Sequence, residues 1–392
     1  MNECMPVMNT GLRGLDVAST KISDVDGKAG KLIYRGFLAA DLARNATYEE
    51  VAFLLLYERL PKKQELADFQ ASLKQRRAIA PFVFELLKTI PAHTSPMDVL
   101  QAAVPMLAQG DDGVSDRTMD KVLGSAENLI SGLAVVTAAW HRIRSGLGPV
   151  APDMTLDYSA NFLYMLTGEK PLQEVARFFD AGLVLHAEHS FNASTFTARQ
   201  VASTRAHIYA AISAALGSLS GELHGGANVR VMEMLKSIGS VDRIDPYIRK
   251  VLDSGEKIMG LGHAVYQVDD PRALILAPMS KRMGEIAGDT LWYDLSRELE
   301  VRAKTAFAEK KEREIFVNVD FYSASLFHSM GIPTDLFTPV FALARISGWA
   351  AHVIEEQFAT SAPKPMLYRP GATYVGSYCG PDECMFVDIN SR

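Results

Sequence analysis

The sequence predicts a nearly all-α chain organised as two domains, with one small β-hairpin near its start. Apolar residues recur at helical spacing along most of the chain, and strand-like patterning is confined to one short stretch. The 392 residues exceed the roughly 250–300 at which a single core stops growing, and two domains leave room for a cleft between them.

The hairpin is read at residues 21–36 (KISDVDGKAGKLIYRG), where Asp26-Gly27 and Gly30 sit between short β-leaning runs. Next, Thr47 and Glu50 form a T-x-x-E capping box. Val51, Leu54 and Leu55 take the i, i+3 and i+4 positions behind it, and Pro61 ends the run. Comparable periodic stretches cover 96–107, 120–144, 172–188, 204–220, 245–253, 291–309 and 338–358, separated by short breaks rich in Gly, Pro or Asp. The stretch 204–220 is dense in small residues (Ala206, Ala210, Ala211, Ala214, Ala215, Gly217). Such a helix lets another approach closely, so a packing layer or a subunit interface is expected there rather than a ligand site. No internal repeat or low-complexity linker is visible. Glycine absorbs unusual backbone angles at little steric cost, so 221–226 and 260–262 are the candidate hinges.

Hydrophobic residues make up 48%, charged residues 22%, and the net charge is −6, which argues for an ordinary folded protein and against nucleic-acid binding. An acidic chain that binds an anion must gather its arginines locally. Cys4, Cys379 and Cys384 lack zinc-site spacing and are expected as reduced thiols. The first residues show no signal or transit pattern, and no uncharged apolar run reaches the ~18 residues of a membrane helix, the nearest being 206–221. A cytoplasmic protein is expected.

Three histidines lie in glycine-rich or sharply broken contexts: His189 in HAEHSFNAST, His224 in GELHGGAN and His263 in GLGHAVYQVDDPRA. A lone histidine is more often structural, but bare backbone beside it lets a ligand come close. Asp320 lies among apolar and aromatic residues in IFVNVDFY. Desolvation there would raise its pKa toward that of a general base, although a helix cap or structural acceptor is an equal reading of its context. Other motifs fall away. Gly260-Leu261-Gly262 is followed by Val265 where a dinucleotide fingerprint needs glycine, and no buried strand precedes it. His186 and His189 could share a helix face, but there is neither an H-E-x-x-H pattern nor a third metal ligand nearby. No G-x-S-x-G elbow or P-loop lysine pattern occurs.

Taken together, HAEHSFNAST, LHGGAN, GHAVY…DPRA and NVDFYSASLFHSMGIPTDLFTPVFALARISGWAAHVIEEQ resemble the citrate synthase family, and in the family's order. GLRGLDVASTKISDVDGKAGKLIYRG and RPGATYVG are similar to its N- and C-terminal signatures, so the resemblance spans nearly the whole chain.

The resemblance implies an all-α, two-domain fold with a large helical domain at 1–224 and 322–392 and a small mobile helical domain at 225–321 that closes over the site. It implies that acetyl-CoA condenses with oxaloacetate and that the thioester is then hydrolysed to citrate and CoA. Asp320 would remove the α-proton, His224 would hydrogen-bond the thioester oxygen, and His263 would polarise and protonate the ketone oxygen. Oxaloacetate would be held by His189, Arg272, Arg345 and Arg369, the last supplied by the other subunit of a homodimer. No metal or redox cofactor is implied, since the acyl-CoA is itself a substrate. The start of the chain, close to the N-terminal signature, suggests a homodimer lacking the extra N-terminal domain of larger NADH-sensitive members.

Gln267 and Gln101 stand where members commonly carry a basic residue, at the first of these to help hold CoA phosphates. Ser190 and Gly371 replace frequent acidic and basic residues. These departures spare the proposed catalytic groups and suggest tuned substrate handling. Two alternatives stay open: a 2-methylcitrate or related synthase using propionyl-CoA or a longer thioester, and a non-catalytic protein that binds oxaloacetate or CoA.

Overall fold

The computed structural model describes residues 11–12, 14–263, 265–312, 314–375 and 388–391. Cys4, Cys379 and Cys384 lie outside them, and so does the expectation attached to those thiols.

The hairpin forms and gains a third strand. β1 (Ser23–Asp26), β2 (Lys31–Tyr34) and β3 (Phe37–Leu38) pair antiparallel in that order, with Asp26 opposite Lys31 across the first turn. The Asp26 carboxylate accepts from the N–H groups of Lys28 and Ala29, which closes that turn. Ile22, Leu32 and Tyr34 are buried beneath it.

The remaining regular elements among the described residues are helices. The first eight are α1 (Ala39–Asn45), α2 (Tyr48–Tyr57), α3 (Lys63–Gln75), α4 (Pro81–Thr89), α5 (Pro96–Ala108), α6 (Met119–Arg144), α7 (Tyr158–Thr167) and α8 (Gln173–His186). They are followed by α9 (Ala193–Ser203), α10 (Ile208–Leu219), α11 (Ala227–Ile238), α12 (Ile244–Ser254), α13 (Pro271–Ala287), α14 (Leu291–Lys311), α15 (Val319–Ser329) and α16 (Phe337–Phe358). The Thr47/Glu50 capping box is present at α2, with both reciprocal hydrogen bonds made. The single helix expected over 204–220 is broken: Arg205 adopts φ +63°, and α10 begins after His207, whose Nδ1 accepts from Ala210 N–H. The small-residue face of α10 packs against α5, α9 and α16, so the packing-layer expectation holds. Gln101 of α5 sits in that layer, within 2.6 Å of where a Cβ on Gly217 would stand.

α16 is the axis of the larger body and touches α2, α6, α8, α9 and α10. It buries Trp349 and Arg345 completely. α6 and the segment Thr334–Phe358 are long and apolar enough to cross a membrane. Their most apolar windows are, however, 89% and 94% buried inside the fold, the condition of core helices.

A second group forms where α13 and α11 pack on α15, α12 packs on α14, and α14 packs on α15. The domain limit expected at residue 321 falls within continuous α15, which packs against this group.

Candidate active site

Between the two groups of helices lies a cavity lined by His189, His224, His263, Arg272, Asp320 and Arg345, with Asn228, Thr338 and Phe341 among their neighbours. Six of the seven expected site residues therefore meet. Arg369 is exposed and is not among the residues lining the cavity of its own chain.

His189 sits in the turn that follows α8. Ser190 bends that turn through a left-handed conformation, φ +51°, rarely adopted by a non-glycine residue. α16 comes so close behind it that a Cβ on Gly348 would lie 2.3 Å from both Ala187 O and Glu188 Oε2. His189 Nε2 is buried with no hydrogen-bond partner among the described residues. Burial, reinforced by the charges of Arg272 and Arg345, pushes its pKa well below the usual histidine value, so the ring is neutral.

His224 lies in the loop between α10 and α11. This loop is compact because a Cβ on Gly225 would fall 1.9 Å from Leu219 O. Ser194 N–H donates to His224 Nε2 at 3.2 Å and Ser194 Oγ lies 2.8 Å from the same nitrogen; with the backbone amide as donor, the ring proton is assigned to Nδ1. Ser194 is itself fixed: its hydroxyl lies 2.8 Å from Asn192 Oδ1 and accepts from Trp349 Nε1. Burial and then Arg345 push the pKa of His224 down to about 4.

His263 has the opposite tautomer. The N–H groups of Val265 and Tyr266 donate to its Nδ1 at 2.9 and 3.0 Å, leaving the proton on Nε2. Its pKa is also pushed down to about 4, by burial and then by Arg272. Both imidazoles are thus neutral N–H donors at pH 7, each held by a backbone donor on its other nitrogen. The His263 and His189 rings lie 5.6 Å apart between centroids, edge to face.

Asp320 lies in the first turn of α15, where Asn318 serves as the cap: Asn318 Oδ1 accepts from Asp320 N–H at 3.1 Å. The capping role that the sequence left open for Asp320 therefore belongs to its neighbour. Burial raises the Asp320 pKa to about 6, with Asp270 adding to the rise and Arg272, Arg230 and Arg345 opposing it. The His263 loop and the Asp320 helix are joined by a Leu261–Val317 bridge, by Gly262 N–H to Phe316 O, and by Asn318 N–H to Gly260 O. Gly260, at φ +80°, packs against Phe321 where a Cβ would lie 2.6 Å from its ring.

Arg272 and Arg345 are buried cations. Arg345 Nε donates to His186 O at 2.7 Å and its guanidinium lies 4.7 Å from the Phe341 ring centre. Burial lowers its pKa to about 10, still well above neutrality. Arg272 is paired with Asp270, which is not among the expected site residues. Its signature was there in the D-P-R triplet: an aspartate N-cap, proline at the first helical position, then the arginine. His186, considered as a metal ligand from sequence, instead directs Nδ1 at Gly182 O and packs on Phe341. Among the described residues no group of three or more His, Cys, Asp or Glu could hold a metal ion.

Residues 11–371 match the family model for the citrate synthase C-terminal domain. The chain belongs to the citrate synthase family. It is 42% identical over 377 residues to a citrate synthase of Haloferax volcanii, covering 94% of this chain and 96% of that one. A 2-methylcitrate synthase of Shewanella oneidensis is 37% identical, with 96% and 97% covered. The citrate synthase of Thermoplasma acidophilum, solved as a ternary complex with carboxymethyl coenzyme A and oxaloacetate, superposes with a TM-score of 0.86. It is 28% identical, and the match covers 99% of this chain and 100% of that one.

Proposed function

We propose that this member of the citrate synthase family condenses acetyl-CoA with oxaloacetate and hydrolyses the product thioester to citrate and CoA. The observation that carries the proposal is the convergence on one cavity of two neutral, backbone-held imidazoles, a carboxylate with its pKa raised to about 6, and two buried arginines.

In the proposed sequence, Asp320 accepts the α-proton of the acyl-CoA while His224 Nδ1–H hydrogen-bonds the thioester oxygen and stabilises the enolate that develops there. The α-carbon then bonds to the ketone carbon of oxaloacetate, and His263 Nε2–H protonates the developing alkoxide, the ring recovering its proton, by way of the incoming water, from the one that Asp320 took. Water finally cleaves the thioester. No electrons change hands between carbon centres and an external acceptor, so the chemistry needs no redox group. Arg272, Arg345 and the unpartnered His189 Nε2 would bind the two carboxylates and the carbonyl of the oxo acid.

We assign residues 225–321 to a small domain that closes on oxaloacetate, with Gly225 and Gly226 as one hinge; Gly226 already occupies φ +72°. Arg369 would complete the site from the second subunit of a homodimer. Its exposure in a segment that also exposes Met366 and Leu367 supports this.

The 2-methylcitrate synthase relative favours a second reading in which propionyl-CoA is the thioester. One extra methylene is discriminated by only about 1–3 kcal/mol. Thiol release from acetyl-CoA and propionyl-CoA, each with and without oxaloacetate, tests both. Release that depends on oxaloacetate and disappears in Asp320→Ala is expected, and the ratio of the two rates selects the substrate. Release that persists in Asp320→Ala would remove the assignment of the base.

A further inference from the structure

The two histidines of the oxo-acid site are held from opposite ends of one small element, the N-terminal hairpin, none of whose residues lines the cavity. At its base, Ser23 Oγ donates to Glu188 Oε1 at 2.9 Å and accepts from Ser190 N–H at 3.1 Å. Tyr34 Oη donates to Glu188 O at 2.9 Å, and His352 Nε2 faces the same Glu188 carboxylate at 3.1 Å. The residues on both sides of His189 are thus tied to the sheet. These ties hold Ser190 in its left-handed conformation, which a non-glycine residue keeps only when its surroundings fix it.

The other end of the hairpin meets the His263 loop. Gln267 N–H donates to Gly27 O at 2.8 Å. A Cβ on Gly27 would lie 2.2 Å from Val265 O, so this approach is open only to glycine. Gly30, at φ +63°, sits where a Cβ would fall 2.8 Å from Val268 Cγ2. Val265 and Tyr266, whose N–H groups fix the His263 tautomer, are in the stretch that the tip supports. Gln267, read in the sequence as a missing cation, is here an anchor through its backbone.

We propose that the hairpin is a strut that sets the spacing between His189 and His263, with Ser23 and Gly27 as positioning residues for the oxo acid. The inference rests on the proposed oxaloacetate site. A strut between two groups that grip the same small dianion acts on its binding geometry, and an ångström-scale error there is costly. The acyl-CoA half of the site, at His224, is held by Ser194, which the hairpin does not touch and which meets the Ser190 turn only through the Asn192 side chain.

The test uses the full-length enzyme, with oxaloacetate binding followed by calorimetry and turnover followed by thiol release. Gly27→Ala and Ser23→Ala are each expected to raise the oxaloacetate Kd and KM roughly tenfold and to leave the KM for the acyl-CoA nearly unchanged, with a lower melting temperature as well, since the one meets Val265 O and the other removes two hydrogen bonds. Ser23→Thr, which keeps the hydroxyl, should restore binding. Lys28→Ala, exposed in the same turn, should match the parent. If Gly27→Ala fails to fold, Ser23→Ala decides alone, because it removes a single oxygen. Parental oxaloacetate affinity in the folded variants would overturn the strut, as would a lower melting temperature with KM unmoved. A parent protein that does not bind oxaloacetate would instead remove the proposed function and the strut with it.

Discussion

The Asp270 carboxylate grips Arg272 through two hydrogen bonds, Nε to Oδ1 at 3.0 Å and Nη2 to Oδ2 at 2.7 Å, and at the same time caps two helices. Oδ1 accepts from Arg272 N–H at the start of α13, and Oδ2 accepts from Val319 N–H at the start of α15. Both partners are buried, so removing one charge leaves the other uncompensated. Asp270→Asn is therefore expected to lose about 3 kcal/mol of stability in urea unfolding. It should also raise the KM for oxaloacetate, because the guanidinium loses its fixed orientation. Wild-type KM in a destabilised variant would confine Asp270 to a structural role.

Asp320 acts as a base only when ionised, and burial places its pKa at about 6. The kcat/KM for the acyl-CoA at saturating oxaloacetate should fall tenfold per pH unit below about 6 and level off above it. His224 and His263, with pKa values of about 4, stay neutral across that window and add no second limb there. An acid limb centred near pH 4 would mean that Asp320 is solvated when the chemistry occurs.

Stability should move the other way with pH. Glu49 is buried in α2, where Oε1 accepts from Tyr158 N–H at 2.9 Å and Oε2 has no partner among the described residues. Burial, with Asp180 adding, raises its pKa to about 7. That is above the unfolded value of about 4.3, so the folded state binds the extra proton. The associated stability is present at low pH and lost as pH rises through 7. Between pH 5 and pH 8 the parent should lose about 2–3 kcal/mol that Glu49→Gln retains, since the amide keeps the acceptor for Tyr158. Parallel pH–stability curves for the two proteins would contradict this.

Gly348 gives a steric test of how α16 positions His189. A methyl group there meets Ala187 O and Glu188 Oε2 at 2.3 Å, so Gly348→Ala must push the turn or the helix aside. Overpacking of this kind costs about 1–3 kcal/mol. Because Ala187 and Glu188 lead directly into His189, the KM for oxaloacetate should rise together with the loss of stability. Thermal melts and steady-state kinetics on the same preparation check both.

The long helices were legible because α6, α8, α14 and α16 repeat their apolar residues over several turns. Those nearest the chemistry, α9, α11, α13 and α15, were not read. Gly226 opens α11 beside a glycine-rich loop, Asn318 opens α15 in a segment of apolar and aromatic residues without helical spacing, and α13 carries Pro278 inside it. Tertiary packing overrides local propensity in each. The chemistry was more legible than its scaffold: His189, His224, His263, Asp320, Arg272 and Arg345 carry unusual contexts in the sequence and do meet. Their supports were not legible, because Ser194, Asp270, Gly27 and Ser23 are ordinary residues that gain meaning only from partners far along the chain.

Arg369 remains the one expected ligand that its own chain leaves exposed. If it reaches the cavity of a second subunit, a complete site needs Asp320 from one chain and Arg369 from the other. Asp320→Ala and Arg369→Ala homodimers should each be nearly inactive at modest oxaloacetate. Mixed by subunit exchange, half of the dimers become hybrids, and each hybrid has one site carrying both substitutions and one carrying neither. Recovery of roughly a quarter of parental activity is then expected. Arg369 acting within its own chain would instead leave every hybrid site with one defect, and the mixture would stay as inactive as its components.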